Sequence, residues 1–120
     1  MTPAPLIVLL NGPLGIGKST LGEALGEAID RSVTLDGDSL VALNPAPADE
    51  PNLLHRTIVM LLGHYLAAGY DRFVINHYWS SAERLADLES LLRSVMPDAS
   101  VHCFRLILPI DENLRRIARR

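Results

Sequence analysis

The segment Gly12-Pro13-Leu14-Gly15-Ile16-Gly17-Lys18-Ser19 has the spacing G-x-x-x-x-G-K-S. Those residue types at that spacing can grip a polyphosphate. Glycines let the main chain curl so that successive N–H groups point inward at phosphate oxygens. A helix beginning near Lys18 would aim its positive end at the same anion. The Lys18 ammonium would reach the β- and γ-phosphates, and the Ser19 hydroxyl would go to Mg²⁺. The candidate binding run is therefore Gly12 through Thr20. Lys18 is also the chain's one lysine; the other ten of its eleven basic residues are arginines. At average residue frequencies, about one chain of this length in several hundred would carry the pattern by chance. A dinucleotide-type glycine fingerprint is the rival, but Thr20 stands where its third glycine belongs and Lys18 would have no task in it.

Asp36 and Asp38, in Leu35-Asp36-Gly37-Asp38-Ser39, are the next candidates. They follow a short apolar run that reads as a strand, and ligands of an open parallel sheet bind beyond the carboxyl ends of its strands. Carboxylates two residues apart beside a phosphate loop suit two tasks: taking a proton from an acceptor hydroxyl, or holding Mg²⁺ through water. Asp38 leads for both, with Asp36 second. The alternative is that one of them serves a turn or caps a helix, since Asp-Gly is a turn signal. Trp79, just past the third strand, either walls an acceptor site or covers the core. Arg56 lies off the apolar stripe of its helix, facing an acceptor or solvent. His55 and His102 lack metal-ligand spacing, and no grouping of histidines and cysteine suggests zinc.

Positioning these groups requires alternating strands and helices. Leu6-Ile7-Val8-Leu9-Leu10 is an unalternating apolar run, as expected of a parallel strand buried on both faces. Leu21, Ala24, Leu25, Ala28 and Ile29 then follow the rhythm of a helix with one buried face. Gly22 and Gly26, one turn apart, lower helix propensity, and close packing against the sheet explains them. Strands are expected at Ser32–Asp36, Arg72–Asn76 and Val101–Leu108. A long helix is expected from about Asn52 to Ala68, stopped by Gly69. Ser80 and Glu83 form a capping-box pattern for a helix with Leu85, Leu88, Leu92 and Val95 inward, ended by Pro97. Asp111 is placed to cap a last helix. The expected fold class is α/β, three-layered, with a parallel sheet and helices on both faces.

The chain of 120 residues has a net charge of −3 and 48% hydrophobic residues. One nucleotide-binding domain is expected over 1–120, incomplete at its carboxyl end, because the final helical pattern stops on Arg119-Arg120 without a cap. The acidic balance supplies no basic footprint for nucleic acid. Cys103 is the single cysteine and forms no internal disulfide, no apolar stretch is long enough to span a bilayer, and the amino terminus lacks a signal-peptide pattern. A cytoplasmic protein with no membrane partner is the expectation.

Asn11 to Thr20 together with Leu35 to Leu40 resemble the small P-loop kinases. Among these are adenylylsulfate kinase, in which a similar Leu-Asp-Gly-Asp follows strand two, the chloramphenicol phosphotransferase-like and gluconate or shikimate kinase-like proteins, and AAA-labelled kinases related to zeta toxins. The resemblance covers residues from about 5 to 120. It implies ATP and Mg²⁺ as cofactors, a small hydroxyl-bearing acceptor, and an aspartate acting as base or Mg²⁺-associated acid, here Asp38. Arg116-Ile117-Ala118-Arg119-Arg120 is similar to the segment leading into the lid of adenylate kinase-like enzymes. That likeness implies Arg116 stacking on adenine and Arg120 on phosphate; a solvated basic helix end is the other reading. The resemblance further implies a lid with more arginines, a fifth strand and a base-contacting loop beyond Arg120. The third strand ends in Ile75-Asn76-His77, without the acid of hydrolytic P-loop proteins, which favours a kinase over an ATP hydrolase. A nucleotide-binding module without transferase activity is the other alternative.

Overall fold

The computed structural model describes residues 4–13 and 18–107, with the backbone alone at Lys18 and Ser19. The elements run β1 (Leu6–Asn11), α1 (Lys18–Ala28), β2 (Ser32–Asp36), α2 (Gly37–Leu40), α3 (Glu50–Ala67), β3 (Arg72–His77), α4 (Ala82–Val95) and β4 (Ser100–Arg105). All strand pairings are parallel, in the order β2-β3-β1-β4. The expected α/β class and parallel sheet are both observed.

Strand β1 is central because its sequence tolerates burial on every side. Ile7, Leu9 and Leu10 are almost wholly enclosed, and the neighbouring β3 contributes Phe73, Val74 and Ile75 in the same state. Alternation then assigns the two faces. Ile7, Leu9, Leu35, Phe73 and Ile75 meet Leu54, Ile58 and Leu62 of α3 and Leu88 and Leu92 of α4. Val8, Leu10 and Val74 form the opposite face, under Leu25 of α1. The result is three layers, with α1 alone on its side among the described helices.

Helix α1 approaches the sheet through its glycines. A Cβ at Gly22 would stand 3.0 Å from Asn76 Nδ2, and one at Gly26 would fall on Thr34 Oγ1. This confirms close packing as the reason for both residues. It also moves the buried face: Leu25 and Ile29 are half-buried, whereas Leu21, Ala24 and Ala28 are exposed, so the apolar rhythm marked only part of the seam. Helix α3 begins two residues earlier than expected, because Asp49 caps it by accepting from Asn52 N. Gly69 ends it at φ 103°, a left-handed conformation that glycine adopts without a steric penalty. In α4 the cap is Ser81, accepting from Arg84 N, and not the Ser80–Glu83 box. Leu88 and Leu92 are buried as expected, but Val95 points to solvent and Met96, four residues after Leu92, takes the buried place.

Strands β2 and β4 are the two edges of the sheet among the described residues. Strand β4 pairs with β1 on one side only, and Phe104 and Ile107 near its end are exposed. The strand closes at Arg105, earlier than the expected Leu108; residues from 108 onward, including the Asp111 cap and the last helix, lie outside the described residues.

Two glycine substitutions separate packing from propensity. Gly26→Ala improves helix propensity yet forces a methyl onto the stiff, β-branched Thr34, and is expected to destabilise by about 1 kcal/mol net. Gly63→Ala, in α3, meets nothing within 4 Å and is expected to stabilise by about 0.5–1 kcal/mol. Urea unfolding midpoints of the two variants should therefore move in opposite directions.

Candidate functional site

The segment after β1 leads into α1 on one face, and the segment after β3 leads into α4 on the other. Chain leaving adjacent parallel strands toward opposite faces opens a crevice at their carboxyl ends. Asn11, the last residue of β1, fixes one wall. Its side-chain oxygen accepts from Trp79 N at 2.8 Å and its amide nitrogen donates to Trp79 O at 3.3 Å. One side chain thus ties the β3–α4 connection to the end of β1, and Gly12 N adds a bond to His77 O. Gly12 is buried and Pro13 half-buried beside this anchor. Leu14, Gly15, Ile16 and Gly17 lie outside the described residues, as do the side chains of Lys18 and Ser19; the backbone of α1 starts at Lys18, as the motif requires. Thr20 is exposed in its first turn.

The two aspartates divide their work. Asp36 is the N-cap of the short helix α2, its Oδ1 accepting from Asp38 N at 3.0 Å; the helix-cap alternative holds for Asp36. Asp38 is free of that task, its side chain 63% exposed, and its Oδ1 lies 3.4 Å from His77 Nδ1. Gly37 between them is buried against the imidazole, and a Cβ there would fall on the His77 ring. Sequence reasoning left His77 without a role. Its position straight after the buried run of β3 was the available signal, but its partner stands in α2, two residues past the end of β2.

Trp79 is 4% exposed and belongs to the core, and it also lines the cavity beside Asn11–Pro13. Its indole Nε1 donates to His55 Nε2 at 3.1 Å, and its ring meets His77 edge-on at 5.1 Å. His55, on α3, is buried, and burial pushes its imidazole below the ordinary value; His77 and Arg84 push the same way, against Asp87 and Asp49. Neutral His55 is the form that can accept from the indole.

Asn76 stands at the end of β3, 3% exposed, opposite Leu10 and Asp36, with its Oδ1 lacking a hydrogen-bond partner beneath the first turns of α1. A cavity of about 380 Å³ opens on the other side of β1, between Asn11–Pro13, Tyr78–Ala82 and the end of β4 with Cys103 and Arg105. It adjoins Gly12 and Pro13 at the start of the glycine-rich segment, and Asp38 is not among its lining residues. Partial desolvation, reinforced by the Glu89 carboxylate, pushes the Cys103 thiol up, which keeps it protonated. Arg56 is exposed on α3. Among the described residues no group of three or more His, Cys, Asp or Glu could hold a metal, and no helix is long and apolar enough to cross a membrane. Arg116 and Arg120 lie outside the described residues.

No protein-family model matches the sequence, and no curated protein matches it. Solved structures do match in fold. The Deinococcus radiodurans tunicamycin resistance protein superposes with a TM-score of 0.71 at 26% identity, covering 98% of this chain and 70% of that one. The Mycobacterium tuberculosis APS kinase, solved in complex with AMPPNP and APS, gives 0.68 at 23%, covering 96% and 69%. A chain of the Pnkp1/Rnl/Hen1 complex gives 0.67 at 19%; it covers 97% of this chain, which spans only 40% of that one's length. The chain has the P-loop kinase fold.

The His55–Trp79 pair makes stability pH-dependent. Because the folded-state value of His55 is lowered, the unfolded chain binds a proton near pH 6.5 that the folded chain refuses. This contribution is intact above about pH 7 and falls as pH drops through that value. Urea titrations between pH 7.5 and 5 should show a shallower loss for His55→Gln, which keeps an acceptor without titrating. His55→Phe, which strands the buried indole N–H, should cost about 1–3 kcal/mol at neutral pH.

Proposed function

We propose that this chain is the nucleotide-binding core of a phosphotransferase that moves the γ-phosphoryl group of ATP to a small hydroxyl-bearing acceptor. One observation carries this most: the G-x-x-x-x-G-K-S spacing falls between the central buried strand β1 and the start of α1, in a fold shared with nucleotide-dependent kinases. In this reading the backbone amides from Gly15 to Ser19 and the Lys18 ammonium hold the phosphates. Asp38 takes the acceptor's proton, and its exposure at the crevice leaves it open to a hydroxyl. Asp36 supports it from the cap, and Arg116 and Arg120 serve the base and phosphates.

The oxygen donors available, Ser19 and Asp38 among them, suit a hard cation and not zinc. Ser19 would hold Mg²⁺ directly and Asp38 through water. Bound there, the ion supplies neutralisation of charge on the β- and γ-oxygens. Phosphoryl transfer depends mostly on positioning and charge stabilisation, which is why the anchoring of the crevice walls by Asn11 matters to it.

A second reading, a nucleotide-binding module without transfer, is favoured by Asn76, a neutral amide where hydrolytic relatives of the motif carry an acid. An acceptor screen by coupled ADP release separates the two. It should include sulfate- and sugar-bearing metabolites, antibiotics and an RNA oligonucleotide, the last because one structural neighbour belongs to an RNA repair complex.

Lys18→Ala is expected to abolish the heat of ATP–Mg²⁺ binding in calorimetry. Asp38→Asn should bind ATP within about threefold of the parent and lose phosphoryl transfer by about a hundredfold or more. Transfer that survives Asp38→Asn would remove the aspartate from the mechanism, and an ATP heat that survives Lys18→Ala would remove the lysine.

A further inference from the structure

We propose that His77 is a positioning residue that holds the Asp38 carboxylate toward the acceptor; this rests on the phosphotransfer reading above. The two residues are distant in the chain. They meet because β2 and β3 pair in parallel with Asp36 beside Asn76, which brings His77, the last residue of β3, and Asp38, two residues past the end of β2, to the same edge. Nδ1 of His77 then lies 3.4 Å from Asp38 Oδ1. Contacts of this kind often shorten when substrate binds.

Three features prepare that approach. Gly37 has no side chain where one would collide with the imidazole. Asp36 fixes the main chain of Asp38 through its cap. The His77 ring is set by the edge of Trp79, itself held by His55 and Asn11. Exposure assigns the roles. The Asp38 side chain is 63% exposed and that of His77 14%, so Asp38 is the group an acceptor touches and His77 works from behind it.

As the 3.4 Å approach closes to hydrogen-bond distance, a protonated Nδ1 donates to Asp38 Oδ1 and leaves the second carboxylate oxygen for the acceptor. That oxygen takes the hydroxyl proton as the acceptor oxygen bonds to the γ-phosphorus. The bond from that phosphorus to the β–γ bridging oxygen breaks, and ADP departs with its electron pair.

Two variants divide hydrogen bonding from packing. His77→Phe keeps a ring against Trp79 but has no donor; His77→Asn loses the ring but can place an amide nitrogen near the Nδ1 position. The probe reaction is ADP release from ATP and Mg²⁺ with water as acceptor. His77→Phe should lower kcat about tenfold or more with KM for ATP within about twofold, while His77→Asn retains most of the parent rate. His77→Phe should nonetheless melt at or above His77→Asn; a purely structural role would make activity follow that melting order, whereas the proposal reverses it. A parental rate in His77→Phe, or equal losses in both variants, overturns the proposal.

Long-range ¹H–¹⁵N correlation of the imidazole needs no turnover. It should show Nδ1 protonated and its resonance displaced in Asp38→Asn; an unprotonated Nδ1 overturns the proposal. The two levels fail differently. Absence of ATP binding sinks the phosphotransfer reading, whereas loss of ADP release in Asp38→Asn beside full activity in His77→Phe sinks only the assignment of His77.

Discussion

Strand β1 is hydrogen-bonded on both edges and covered on both faces, and the candidate site inherits its rigidity from that. A strand so enclosed cannot shift register without carrying apolar side chains to the wrong layer. Its last residue, Asn11, is consequently a fixed point, and the Asn11–Trp79 bonds extend the fixed region to the connection after β3. In the proposed function, a nucleotide and its acceptor would be set against walls anchored in this way.

The second neighbour of β1 explains how the acidic group is delivered. Parallel pairing of β2 with β3 aligns their carboxyl ends, and Gly37 lets the main chain after β2 come down on His77. The pairing is therefore as much a part of the site as either side chain.

Most of the fold was legible in the sequence because burial leaves a periodic trace. The unbroken apolar runs gave β1 and β3, the helical rhythm gave α3 and α4, and Gly69 marked a stop that the structure confirms by its positive φ. What the pattern missed came from contacts at close range. The first helix packs through the glycines themselves, so its apolar residues misreport its seam. The start of α4 differs by one residue between two serines of equal capping ability, and at its far end the buried place falls to the C-cap residue Met96 and not to Val95. The four-residue α2 is too short to show any period. Of the candidate site, the glycine–lysine–serine spacing and the two aspartates are visible as candidates from residue type alone. The roles of Asn11, His55 and His77 are not, because each depends on a partner at least 24 residues away.

Trp79 is the only tryptophan in the chain. It is enclosed, bonded through its indole to His55, edge-on to His77, and joined by its main chain to the end of β1. Its emission wavelength and lifetime consequently belong to this one junction, without a second indole to dilute them. The molecule carries a built-in optical gauge of the junction between β1, α3 and the β3–α4 connection, readable in solution without attaching a dye.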